Sequence, residues 1–173
     1  MPAIPPIPDR LLKIYLADHL AAATAGMALA HRTARSNART EYGDLLRRLA
    51  GEIKDDRRTL QQVVAALGFR ESMTKEAVAW VGEKVGRLKL NGQIRGYSPL
   101  SRVLELEALS VGIAGKLALW ESLLTVPEIG ERLSRFHLDD LAERARRQRA
   151  EIEEYRLRAA REAFARGASG AVS

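Results

Sequence analysis

Apolar residues recur along this chain at three- and four-residue spacing in long blocks, broken by short polar or glycine-containing stretches. Leu12, Leu16, Leu20, Ala23, Met27 and Ala30 form one such stripe, the pattern of a helix buried along one side. Asp9, after a proline-rich start, supplies an N-cap, and the stripe predicts a helix to about Arg35. SNARTEYG, residues 36–43, interrupts it. Leu46, Leu49, Ile53, Leu60, Val64 and Leu67 predict a second helix from about Tyr42 to Leu67, with Gly68 placed to stop it. A shorter block runs from about Met73 to Leu90, with Ala77, Val81, Val85 and Leu88 on one side and Trp80 beside them. Ser98-Pro99 joins an N-cap to a proline at the first helical position and opens a helix to about Leu124. A loop around Pro127 leads to a last helix, from about His137 to Arg166.

The helix that opens at Ser98 is apolar nearly all round and rich in small residues, Gly112 and Gly115 among them. Glycine inside a helix costs about 1 kcal/mol relative to alanine. Two of them predict close approach by a neighbouring helix. Ile113, Trp120 and Leu124 add a second apolar face, which needs cover from the 73–90 helix or from a second copy, and so favours a homodimer.

Residues 36–43 and about 125–136 are short connections, and short connections make antiparallel αα-hairpins. Between the hairpins, residues 68–97 are long enough to cross from one end of the fold to the other. The expected class is therefore all-α: a four-helix bundle of two αα-hairpins with a helix-containing long crossover. Residues 1–8 read as a leader, 9–166 as a single helical domain and 167–173 as a disordered tail. The layout resembles the ferritin-like superfamily over nearly the whole chain. It is similar to a group of bacterial ferritin-like proteins with no established activity.

Composition narrows the classes. The 173 residues suffice for one core, and an apolar content of 46% with 5% aromatics favours helix. There is no cysteine, which excludes disulfides, thiolate metal sites and cysteine nucleophiles. MPAIPPIPDR lacks the basic and apolar regions of a secretory signal. The longest nearly uncharged stretch, 109–120, carries Lys116 and is too short to span a bilayer. These features predict a cytoplasmic protein that does not enter membranes. The net charge of +6 is spread along the chain and leaves an acidic partner, nucleic acid included, as one alternative. In the last helix, glutamates interleave with the arginines at helical pair spacing, which is the pattern of a solvated face.

The ferritin-like resemblance implies a di-metal site, with a carboxylate from each of two helices and a Glu-x-x-His pair from each of the other two. None of His19, His31 and His137 stands three residues after a glutamate, so that motif is incomplete. A helical wheel nevertheless turns His19, Asp56, Glu107, Gln148 and Tyr155 inward, with Glu52 at the edge of the same face as Asp56 and Glu121 inward nearer the loop. Asp55 points to solvent. His19 and Asp56 fall level with each other, as a charge-assisted hydrogen bond requires. The cluster His19, Glu52, Asp56, Glu107, Gln148 and Tyr155 reads as a buried polar layer that sets helix register. Its functional alternative is a reduced metal site, whose oxygen-rich ligands suit iron or manganese in an oxidase or iron-handling protein. No cofactor is otherwise implied, and no nucleophile elbow, P-loop or dinucleotide fingerprint occurs.

One segment, GRLKLNGQIRGYSPLSR (86–102), has basic residues and no acid. Asn91-Gly92 reads as a helix C-cap, and Lys84, Arg87, Lys89, Arg95 and Arg102 gather near one end of the fold as a candidate anion or partner site. The sequence thus predicts a non-enzymatic interaction or structural protein.

Overall fold

The computed structural model describes residues 9–69 and 97–168. Helix α1 is Asp9–Ser36, α2 is Gly43–Ala66 and α3 is Pro99–Leu124. A short helix α4, Pro127–Arg132, and a 3-10 turn, Ser134–Phe136, precede α5, Leu138–Ala168. Among the described residues there is no strand. The most extensive contact joins α3 to α5, followed by α1 to α2, with a lighter one between α1 and α3.

The ends form for local reasons. Ser98 caps α3 by accepting from the Ser101 backbone N–H at 3.1 Å, and Ser101 Oγ accepts from the Ser98 N–H. Gly68, at φ +84°, ends α2, its N–H donating to the Ala65 carbonyl and the Phe69 N–H to that of Val64. That pair of bonds is a Schellman ending, which needs the left-handed residue glycine supplies. The turn from α1 to α2 also demands glycine, because a Cβ on Gly43 would sit 2.9 Å from the Asn37 carbonyl oxygen. Where a loop is expected around Pro127, the chain forms α4 with that proline at its first position. Ile129 and Leu133 of this stretch are buried.

The apolar stripe of α2 matches the expected residues. Leu46, Leu49, Ile53, Leu60, Val64 and Leu67 are all buried, each worth about 1.5–3 kcal/mol on leaving water. The core falls into two clusters. One holds Leu16, Leu60, Val63, Leu119, Trp120 and Leu141, and the other holds Ala30, Leu46, Leu49, Leu106, Ile113 and Ile152. In sequence, Asp56 on α2, Lys116 on α3 and Arg144 on α5 fall between the residues of the two clusters.

Two expectations for α3 change. Trp120 and Ile113 are buried within this chain, so the face that pointed to a second copy is already covered. Among the described residues, Gly112 and Gly115 do not mark close helix approach, since a Cβ on either would meet nothing within 4 Å. The segment 73–90, with Trp80, and the Asn91-Gly92 cap lie outside the described residues.

Candidate functional site

Three helices place charge in the interior. Asp56, 3% exposed, projects from α2 between Ile53 and Leu60, and Gln148, 2% exposed, from α5 between Ala145 and Ile152. Both positions follow the helical spacing of the apolar stripes, as the sequence predicts. Lys116 of α3 bonds both, through Asp56 Oδ2 and Gln148 Oε1. Arg144 of α5 bonds Asp56 Oδ1. Gln148 Nε2 donates to Glu52 Oε2 at 2.7 Å, Arg48 Nη1 to Glu52 Oε1 at 3.2 Å, and Arg48 Nη2 to Glu151. The result is one continuous network from Arg144 to Glu151, with three cations set against three carboxylates. Burial lowers the Lys116 pKa from the usual lysine value, more than the adjacent Asp56 carboxylate raises it.

The remaining interior candidates separate from this network. His19 is half-buried, its ring edge-on to Tyr15 at 4.5 Å between centroids. It makes no hydrogen bond among the described residues, so the expected His19–Asp56 bond is absent and Lys116 and Arg144 take its place. Burial lowers the His19 pKa, outweighing Asp18, which raises it. Glu107 is exposed rather than inward, and so is Glu121, which pairs with Arg146 at 2.6 Å. Tyr155 is half-buried and meets Tyr42 edge-on, at 5.7 Å, away from Asp56. Asp55 is exposed and pairs with Arg58, as the wheel predicts. Among the described residues, no three or more His, Asp or Glu side chains stand close enough together to hold a metal ion.

A cavity of about 280 Å³ lies beside the network, between α1, α2 and α3. Its walls are mostly apolar, and His19, Arg57, Asp56 and Lys116 are its charged or titratable lining. Arg57 donates to Thr24 Oγ1 at 3.0 Å and weakly to Gln61 Oε1 at 3.4 Å, and no carboxylate pairs with it among the described residues.

At the other end of the helices, Arg102 is occupied rather than free for an anion. Its Nε donates to Asn37 Oδ1 at 2.7 Å, Nη1 faces Glu162 at 3.5 Å, and its guanidinium lies 4.5 Å above the Tyr42 ring. Tyr42 OH donates to Glu162 at 2.9 Å, and Tyr97 OH to Glu105 at 3.1 Å while accepting from Asn37. Burial is the first cause raising both tyrosines to about 12. This clamp ties the α1–α2 turn to the start of α3 and the last turns of α5. Lys84, Arg87, Lys89 and Arg95 lie outside the described residues. Along α5, Arg146, Arg147, Arg156 and Arg158 each pair with a glutamate.

The sequence reading missed Lys116, Arg144, Arg48 and Arg57. Lys116 carries a usable signal, since it stands three residues after Ile113 and four before Trp120, on the inward face. The arginines carry none, because other charged residues stand beside each on one side at least and nothing local separates them.

Among the described residues, no helix is long and apolar enough to cross a membrane. No family model, curated protein or solved structure matches the chain.

Proposed function

We propose that this chain is a ferritin-like four-helix bundle with a non-enzymatic interaction or structural role, whose interior charges hold the helices in register. Core sharing supports the ferritin-like order. Leu16 of early α1, Leu60 of late α2, Leu119 of late α3 and Leu141 of early α5 pack in one cluster. Ala30, Leu46, Leu106 and Ile152, from the opposite halves of the same helices, pack in the other. On that reading α1 and α2 are antiparallel, as are α3 and α5, and residues 70–96 connect opposite ends, as in two hairpins joined by a long crossover.

The observation that carries the functional reading is the saturation of the interior carboxylates. Asp56 already holds two cations, and Glu52 is bonded by Arg48 and Gln148. A divalent ion at Asp56 would have to displace Lys116, and His19 and Glu107 stand apart from the network. A buried carboxylate satisfied in this way is suited to holding helices in register. The pairing of the α5 arginines equally favours a solvated face over a nucleic-acid surface. A second copy of the chain is the favoured partner, because Leu100, Leu104 and Val111 leave apolar side chains exposed along α3.

Elemental analysis of protein grown with iron and manganese and purified anaerobically tests this reading. Substoichiometric metal, unchanged by His19→Ala or Glu107→Ala, is expected. Stoichiometric iron or manganese lost on either substitution would instead establish the metal-dependent oxidase or iron-handling alternative.

A further inference from the structure

The cavity between α1, α2 and α3 has features that helix packing does not require. Gly26, Gly112 and Gly115 line it, and a Cβ on any of them would meet nothing within 4 Å among the described residues. These glycines weaken their helices without letting a neighbour come closer, so they leave space open. Ala108 and Val111 at the wall are exposed, and the cavity therefore reaches the surface. Its volume of about 280 Å³ approaches the lower limit of roughly 300 Å³ for small-molecule sites.

The second observation is polar. Trp120 lines the cavity, is 1% exposed, and its Nε1–H has no acceptor among the described residues. A buried donor of this kind ordinarily finds a partner. Arg57, on the same cavity, has no carboxylate beside it and most of its N–H groups are uncommitted among the described residues. His19, whose pKa burial lowers, adds a polar edge to the same wall. The floor pair Asp56–Lys116 is internally balanced and attracts neither sign.

We infer that this cavity is a binding site for a small amphipathic carboxylic acid, such as a medium-chain fatty acid, with its apolar chain among the glycine- and alanine-lined walls and its carboxylate on Arg57. Charge complementarity selects the class: among the described residues the site offers apolar area and a guanidinium with no carboxylate beside it, with no uncompensated acid. The inference is independent of the interior network, which binds nothing in it.

Trp120 reports occupancy directly. In the full chain carrying Trp80→Phe, Trp120 is the only tryptophan. Titration with octanoate below its micellar concentration is expected to change Trp120 emission saturably. Arg57→Gln is expected to weaken octanoate at least about tenfold, the loss of a charged hydrogen bond, and to leave octanol unaffected. Gly112→Leu, which has room for its side chain and a better helix former, is expected to abolish binding while retaining helical circular dichroism. If that variant fails to fold, Ala22→Leu fills the space from the facing helix. No saturable response to octanoate, equal affinity for octanol, or undiminished binding in a folded cavity-filled variant would each overturn the inference.

Discussion

Asp56 and its neighbour Asp55 show how strongly position on a helix governs a carboxylate. Asp55 is exposed and pairs with Arg58 one turn on, an arrangement worth at most about 1 kcal/mol in water. Asp56, one residue later, is turned to the interior and neutralised by Lys116 and Arg144 from two other helices. His19 shows the opposite case, a half-buried titratable group whose burial outweighs the one charge beside it, Asp18. Its pKa lies below 6.5 because burial disfavours the imidazolium. The unfolded chain therefore takes up the proton first as pH falls. Stability attributable to His19 is fully present above pH 6.5 and declines as pH drops through its folded pKa. Urea unfolding at pH 7.5 and pH 5 is expected to show a larger loss in the parent than in His19→Leu. An equal loss in both would mean that His19 carries no such penalty.

At the scale of the elements, the ends of the helices depend on single residues. Ser98→Ala removes both the acceptor for Ser101 N–H and half of a reciprocal cap, and is expected to cost about 1 kcal/mol in chemical denaturation. Gly68→Ala, at φ +84°, is expected to cost a similar amount, about 1 kcal/mol, from the strain of a Cβ in the left-handed region. An unchanged denaturation midpoint in either variant would contradict its assigned role. Both residues were legible in sequence because capping and stopping chemistry is local. The inward face of α2 was legible too, because polar residues on its outer side define the stripe. α3 lacks that contrast. It is apolar nearly all round, so its pattern did not fix which face turns inward, and Glu107 was assigned to the wrong one. The short helix α4 spans too few residues for a periodic signal, and Pro127 suggested a loop where it begins a helix.

For the whole molecule, a charge-balanced network starts where two apolar clusters meet, at Asp56, Lys116 and Arg144, and runs along the second of them. A hydrogen-bonded clamp closes one end. Sequence revealed Asp56, Glu52 and Gln148 of the network, but not Glu151 or the cations that complete it. Long basic side chains reach across from neighbouring helices, so their partners follow from tertiary packing and not from spacing along one helix. The cavity was hidden for a related reason. Glycine at a helix interface has the same pattern whether it admits a neighbour or leaves a space, and only the position of the facing helix separates the two. A four-helix core with Asp56 at its centre has every reason to use that residue for cohesion. Removing one member of a buried ion pair costs about 3–5 kcal/mol, whereas replacing the pair with apolar residues is often neutral. A double-mutant cycle on Asp56→Leu and Lys116→Leu, followed by chemical denaturation without added metal, tests this most directly. The account predicts a loss of about 3 kcal/mol or more for Asp56→Leu, largely recovered in the double variant. An Asp56→Leu protein as stable as the parent, or a double variant in which the two losses simply add, would contradict it.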